Sequence, residues 1–197
     1  MAALLILVIL AQGAAGLFAL WRNHAEQARS RAELTAIAAG LDAARMAQTA
    51  FHVQVQEWKN ILLRGHDAAV RTRHEQAFQS RATAVDQALG VLGTRAEAAR
   101  QRHGAVNRSY GEVLASADLA SGDGARAADA RLRGLDRDLQ TLLDSLSAAM
   151  AAEHAAALTA AALREAEAYA AMRTMLLITG GIGLLASLGL MIAAGRR

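Results

Sequence analysis

Apolar residues occur along this chain in two ways: as unbroken segments at both ends and at helical spacing in between. Residues Ala3–Trp21 form an apolar stretch interrupted only by Gln12, and residues Thr174–Ala194 form a second stretch without any charge. Each stretch has about the 20 residues that a helix needs to cross a hydrocarbon core roughly 30 Å thick. The pattern therefore predicts two transmembrane helices, at residues 1–21 and 174–195.

The orientation of these two segments follows from the basic residues beside them. Arg196 and Arg197 follow the second segment, and basic residues close to a span favour the cytoplasmic side. Two spans then place both termini in the cytoplasm and residues 22–173 on the other side of the membrane. A cleaved signal peptide is the alternative for the first segment, because its small residues at 13–16 suit a cleavage site.

The middle of the chain predicts four helices, because its apolar residues recur at helical spacing. The first helix runs from Trp21 to Arg64, after which Gly65 suits a helix end and Asp67 suits a helix cap. Its apolar stripe consists of Leu34, Ile37, Leu41, Phe51, Val55, Trp58 and Leu62.

Two further breaks separate the remaining helices. Gly90 and Gly93 mark the end of the second helix, and Thr94 is placed to cap the third. The stretch Ser121–Gly124 predicts a loop before the fourth helix. That helix has the most regular heptad pattern of the chain, formed by Leu132, Leu135, Leu139, Leu142, Leu146 and Met150.

The predicted helix lengths indicate an all-α, up-down-up-down four-helix bundle flanked by two transmembrane helices. Outside the membrane, helices one and four are each about 65–70 Å long and helices two and three about 37 Å, at 1.5 Å per residue. The first and fourth helices therefore continue into the two spans. Close to the membrane only these two helices remain, and such a pair buries its apolar stripe poorly. We therefore expect a homodimer.

Composition supports helices and argues against several classes of function. The chain has no proline and no cysteine, which suits long helices and excludes disulfides, thiolate zinc sites and covalent haem attachment. Apart from Arg196 and Arg197, the basic residues nearly balance the 18 acidic ones and are interleaved with them. No block of charge could follow a phosphate backbone, so no nucleic-acid partner is expected.

Histidines raise the question of a metal or haem site. His74 and His103 both fall on apolar stripes, but in the predicted bundle their levels differ by about 13 Å, too far for shared metal ligation. No nucleophile–base pair, phosphate-binding glycine loop or paired carboxylates stand out. We therefore expect no cofactor and no enzyme activity.

Two segments carry a resemblance to a known family. Residues Ala50–Asp67, AFHVQVQEWKNILLRGHD, closely resemble the first bundle helix of bacterial methyl-accepting chemotaxis proteins with a four-helix-bundle periplasmic sensor. Residues Asp129–Ser145, DARLRGLDRDLQTLLDS, resemble the start of the last helix of that sensor, around a core at Arg133–Arg137. Residues Tyr110–Leu114 loosely match the end of its third helix.

The resemblance implies a chemoreceptor-type input module in a bacterial inner membrane, with residues 22–173 in the periplasm. A small-molecule ligand or a periplasmic binding protein would displace the helices and so signal across the membrane. This sequence departs from the family where prolines are usual, at Ala68 and near Leu139. In the family the second span leads into a HAMP linker and a cytoplasmic coiled coil, whereas this sequence ends at Arg197. It therefore resembles the input part of such a receptor.

The candidate ligand-binding residues lie in the two strongest matching segments: Gln54, Trp58, Asn60, Arg64, Asp67 and Arg137. Arg64 could clamp a carboxylate ligand, or simply neutralise the carbonyl end of its own helix. Trp58 is in phase with the apolar stripe, so core packing is its alternative role. A pocket shared by Trp58, Arg64 and Arg137 is a hypothesis that remains to be tested.

A second set of hypotheses concerns the polar residues near these candidates. Asp136 and Arg137 could pair with Lys59, Glu57 or Arg64 across the bundle in a purely structural network. For the whole chain, the alternatives to a chemoreceptor input module are a standalone membrane adaptor or interaction protein, and the input half of a histidine kinase or diguanylate cyclase.

Overall fold

A computed structural model describes residues 2–195, and the elements found there are all helical, without a strand. Their bounds are α1 Ala2–Arg64, α2 Ala68–Leu92, a 3₁₀ helix Gly93–Ala96, α3 Glu97–Ser116, α4 Gly122–Leu132 and α5 Leu135–Gly195. The prediction of an all-α chain is confirmed for these residues. The chain divides into two compact units, one of residues Ala36–His154 and one of residues Met1–Thr35 with Ala155–Arg197.

The first break in the chain lies where the sequence predicts it. Helix α1 ends at Arg64, and a carboxylate oxygen of Asp67 accepts hydrogen bonds from the main-chain N–H groups of Ala69 and Val70. These N–H groups have no partner within the first turn of a helix, so the cap stabilises the start of α2. Gly65 is buried, and a Cβ there would lie 2.5 Å from the carbonyl oxygen of Ile61.

The second break, between α2 and α3, is formed by a 3₁₀ helix. Gly93 ends α2 with φ at 58°, a value that favours glycine. The predicted cap at Thr94 is wrong, because Thr94 lies inside the 3₁₀ helix and its carbonyl oxygen accepts from the N–H of Glu97. The 3₁₀ turn thus provides a partner for the N–H of Glu97, the first residue of α3, and no side chain caps that helix.

The predicted loop at Ser121–Gly124 is displaced in the structure. The irregular connection runs from Ala117 to Ser121, and α4 already begins at Gly122. The hydroxyl of Ser121 caps this helix by accepting from the N–H of Gly124 at 3.1 Å. A Cβ on Gly124 would overlap the carbonyl oxygen of Asp118. The glycines therefore belong to the first turn of a helix rather than to a loop.

The predicted fourth helix is divided into α4 and α5. Arg133 has φ −57° and ψ 118°, and Gly134 has φ 81°. These angles are those of the two central residues of a type II turn, in which the second position requires positive φ and hence favours glycine. Leucines at 132 and 135 flank the turn, so the heptad pattern alone does not show the break.

The core of unit 36–154 is made of buried aliphatic and aromatic side chains from α1 to α5. Four polar contacts also connect helices of this unit. The atom pairs are His74 Nδ1–Glu57 Oε2 at 2.6 Å, His103 Nδ1–Asp86 Oδ1 at 2.7 Å, Arg102–Asp138 at 2.8 Å and Gln48–Asp144 at 2.6 Å. This unit is shorter than the predicted domain of residues 22–173, whose bounds remain a prediction.

The other unit exposes large apolar side chains. Leu17 is 71% exposed on α1, and Leu177 and Leu184 are 71% and 75% exposed on α5. Among the described helices, the one over Leu135–Ala193 is long and apolar enough to cross a membrane. The first predicted span, residues 1–21, falls partly outside the residues whose side chains are described.

The type II turn between α4 and α5 can be tested with two glycine substitutions. Gly134→Ala should lower the free energy of unfolding by about 1 kcal/mol, because alanine is strained at positive φ. The control Gly111→Ala lies inside α3, where an added Cβ meets nothing within 4 Å. It should raise the stability by up to about 1 kcal/mol, because glycine is a poor helix former. Urea unfolding of the full chain in nanodiscs measures the free energy of unfolding of both variants. Equal changes in the two variants would contradict the type II turn.

Candidate functional site

The six candidate ligand-binding residues differ in exposure. Gln54 is fully buried and Trp58 is 3% exposed, whereas Asn60 is half-buried. The other three are exposed and lie at helix ends: Arg64, Asp67 and Arg137. The structure therefore places two candidates in the core, one half-buried and three at the surface.

Gln54 belongs to a polar cluster that connects three helices and consists of the buried Gln54 and His103, the half-buried Asn107 and the exposed Asp86. His103 has no exposed surface. Its Nδ1 lies 2.7 Å from Oδ1 of Asp86 on α2, and its Nε2 lies 3.1 Å from Oε1 of Gln54 on α1. The amide nitrogen of Gln54 donates to Oδ1 of Asn107 at 2.6 Å. Each polar atom of the imidazole thus has a partner, as a buried polar group requires.

Two of the four residues of this cluster could be placed together from the sequence. His103 falls on the apolar stripe of its helix, and Asn107 follows one helical turn later, so the two share a face. The partners Asp86 and Gln54 could not be assigned from the sequence, because pairing depends on the level at which the helices meet.

Trp58 packs in an aromatic cluster with Phe78 and Tyr110. The ring centroids of Trp58 and Tyr110 are 4.9 Å apart, and those of Phe78 and Tyr110 are 5.3 Å apart at an angle of 73°. Burial raises the pKa of the Tyr110 hydroxyl well above its usual value, and the carboxylates of Asp136 and Asp129 raise it further. The ring of Trp58 is thus enclosed by the core.

The predicted pairing of Glu57 with Arg137 is wrong, because Glu57 has other partners. Oε2 of Glu57 lies 2.6 Å from Nδ1 of His74 on α2, and the amide of Asn60 donates to it at 3.4 Å. The main-chain N–H of Arg137 donates to the carbonyl of Gly134 in the first turn of α5, and the side chain of Arg137 is exposed. The shared pocket of Trp58, Arg64 and Arg137 stays a prediction.

Metal ligands do not cluster in the part of the chain that the structure describes. No group of three or more His, Cys, Asp or Glu side chains there could hold a metal ion. His74 and His103 each contact a different carboxylate, Glu57 and Asp86.

A groove lies within the unit of residues 1–35 and 155–197. This groove has a volume of about 720 Å³ and is lined by residues of α1 between 23 and 34 and of α5 between 161 and 172. Arg164 and Glu33 form an exposed ion pair beside it at 3.5 Å. Its walls contain polar and charged side chains together with some larger apolar or aromatic ones, Leu34, Tyr169 and Met172.

Comparison with known proteins gives one significant relative. The chain is 33% identical over 121 residues to the methyl-accepting chemotaxis protein CtpH of Pseudomonas aeruginosa. The chain is therefore related to a chemoreceptor. The match covers 52% of this chain, which spans only 21% of the relative's length. No protein-family profile matches the sequence, and no solved structure matches it significantly. A relationship to methyl-accepting chemotaxis proteins is confirmed at this level, whereas the assignment to their sensor portion remains a prediction.

The contribution of the polar cluster to stability can be tested by replacing two glutamines of α1, Gln54 and Gln56. Gln54→Ala leaves a ring nitrogen of the fully buried His103 without a partner, so the free energy of unfolding should fall by about 2 kcal/mol. Gln56 is exposed, and Gln56→Ala should change it by less than about 0.5 kcal/mol. Denaturant unfolding of the full chain measures both. A Gln54→Ala variant as stable as Gln56→Ala would show that the cluster contributes nothing.

Proposed function

We propose that this chain is a chemoreceptor-type sensory input module, which detects a periplasmic ligand and passes a helix displacement across the inner membrane. The observation that carries the proposal is the 33% identity to a methyl-accepting chemotaxis protein over half of the chain. The all-helical unit 36–154 and the apolar end of α5 agree with such a role.

The proposed architecture is an up-down-up-down four-helix bundle, with α4 and α5 together as its fourth helix. Glu57 and His74 pair across the break at Gly65, at nearly equal distances along the chain from it. Asp86 and His103 pair in the same way across the 3₁₀ helix. Such symmetric pairing is what neighbouring antiparallel helices produce, and it supports this order.

The proposed topology has two spans, with both termini in the cytoplasm and residues 22–173 in the periplasm. The apolar segment of α5 and the arginines 196 and 197 beyond it support a cytoplasmic C-terminus. Helices α1 and α5 each have residues in both compact units. Because the segment long and apolar enough to cross a membrane lies in α5, α5 is our candidate for the element that carries the signal to the membrane.

In the proposed mechanism, the exposed candidates contact the ligand and the buried ones respond to it. Arg64, Asp67 and Arg137 are exposed, and a guanidinium binds carboxylates with strong, charge-assisted hydrogen bonds. Gln54 and Trp58 lie in the core and join α1 to α3 through Asn107 and Tyr110. A ligand or a loaded binding protein would shift α5 against α1 by a small step, because packed helices favour discrete arrangements.

We further propose that the chain acts as a homodimer. The open groove between residues 23–34 and 161–172 has apolar wall positions such as Leu34 and Met172. A second copy of the chain would cover them. The second candidate function is that of a membrane adaptor or interaction protein. The same groove supports it, because another helical protein could bind there.

A fusion to a known output domain tests the proposed function. Residues 1–197 are joined to the HAMP linker and kinase-control domain of a characterised chemoreceptor and expressed in cells without other receptors. Kinase activity is then recorded while amino acids, dicarboxylates and periplasmic extract are added. We expect an active kinase and a change of activity with at least one carboxylate-bearing compound.

Matched arginine variants make the fusion experiment specific. Arg64→Ala should raise the half-maximal ligand concentration about tenfold, because it removes a charge-assisted hydrogen bond. Arg45 is exposed on the same helix, and Arg45→Ala should leave the response unchanged. A membrane-inserted fusion that activates the kinase but answers none of the additions would contradict the sensory role and favour the adaptor.

A further inference from the structure

Gln12 is the only strongly polar residue in the apolar stretch 3–21, and it makes a hydrogen bond to the other apolar segment. Its amide nitrogen donates to the main-chain carbonyl oxygen of Thr179 on α5 at 3.1 Å. Both residues belong to the same compact unit and are half-buried in it. In hydrocarbon a glutamine side chain that finds a partner on a neighbouring helix holds the two helices together.

The amide of Gln12 can reach the carbonyl of Thr179 because the residue one turn further along α5 is a glycine, Gly183. Side chains of a helix tilt towards its N-terminus, so the side chain at position i+4 covers the carbonyl of residue i. Here that residue is Gly183. A Cβ built on it would lie 3.7 Å from the amide nitrogen of Gln12 and 3.8 Å from its amide oxygen. Alanine would just fit, whereas a larger side chain would occupy the place of the amide.

The carbonyls one turn away on either side are already engaged. The carbonyl of Met175 accepts from the hydroxyl of Thr179 at 2.8 Å, and the carbonyl of Gly183 accepts from the hydroxyl of Ser187 at 2.9 Å. A slide of α5 by one turn, about 5.4 Å, would therefore bring Gln12 to a carbonyl that a hydroxyl of the same helix occupies. The uncovered carbonyl of Thr179 is what distinguishes one register from its neighbours.

We propose that Gln12, Thr179 and Gly183 form a polar latch, which fixes the register of the two apolar segments against each other. If the chain is the input module proposed above, the latch also sets its resting state, because a sliding signal has to stretch or exchange this hydrogen bond. The regulatory part rests on the proposed function, whereas the register itself does not.

Cross-linking of introduced cysteines measures the register directly, because the natural chain has no cysteine. Asn23, Ala168 and Met172 line the same groove, and positions 168 and 172 are one turn apart on α5. Full chains in membrane vesicles carry either Asn23→Cys with Met172→Cys or Asn23→Cys with Ala168→Cys. The ratio of the two oxidation rates reports the register. Gln12→Leu should change this ratio about threefold, the typical weight of one such hydrogen bond in a membrane.

A pair of glycine variants provides the matched control. Gly183→Leu should change the ratio as Gln12→Leu does, because its side chain displaces the amide. Gly189 lies in the same segment with nothing within 4 Å of an added Cβ, and Gly189→Leu should leave the ratio as it is. Gly183→Ala should also preserve it. An unchanged ratio in Gln12→Leu, or equal effects of leucine at 183 and 189, would overturn the latch.

The same variants in the kinase fusion separate the latch from the proposed function. Cross-linking requires neither ligand nor output, so its result judges the latch alone. A changed ratio together with a shifted resting kinase activity supports both the latch and its regulatory role. A changed ratio with unaltered kinase activity supports the latch but contradicts both its regulatory role and signalling along α5.

Discussion

A fully buried imidazole constrains the arrangement of unit 36–154. His103 is enclosed in the core, and its two ring nitrogens contact a carboxylate from α2 and an amide oxygen from α1. An unpaired polar group in such a place would cost about as much as several buried methylene groups stabilise. Both contacts form only when α1, α2 and α3 meet at one level. The cluster therefore selects one register where apolar packing alone would tolerate several.

The size of the buried side chains of α1 differs on the two sides of this cluster, and side-chain size determines how closely a neighbouring helix can pack. Before it, the buried face includes the small residues Ala43, Ala44, Ala47 and Ala50, which let a neighbouring helix approach closely, and two larger residues, Leu41 and Phe51. Beyond it the same face carries large residues, which include Trp58 packed on Tyr110. Candidate ligand contacts at Arg64 and Asp67 follow directly after this aromatic region. A ligand bound there would act on the part of the core with the largest rings.

The sequence predicted features that depend on neighbouring residues and missed those that depend on three-dimensional pairing. The cap at Asp67 and the apolar phase of Trp58 are local, and both are found in the structure. The break at Gly134 was missed because the flanking leucines keep a heptad spacing and only the positive φ reveals the turn. Glu57 pairs with His74 rather than with an arginine, because the level at which the helices meet, which the sequence does not contain, decides which side chain lies beside Glu57. The sequence does not identify the ligand either, because the residues that would contact it are brought together only by the fold.

The central claim of this account is that a ligand displaces α5 against α1. Spin labels on cysteines at Asp42 of α1 and Ser145 of α5, both exposed in unit 36–154, allow pulsed electron paramagnetic resonance to measure the distance between these helices. The full chain in nanodiscs is measured with and without a compound that changes the kinase activity of the fusion. We predict a change of about 1–2 Å in the mean distance, the size of known helix shifts in signalling proteins. An identical distance distribution in both states would contradict the claim.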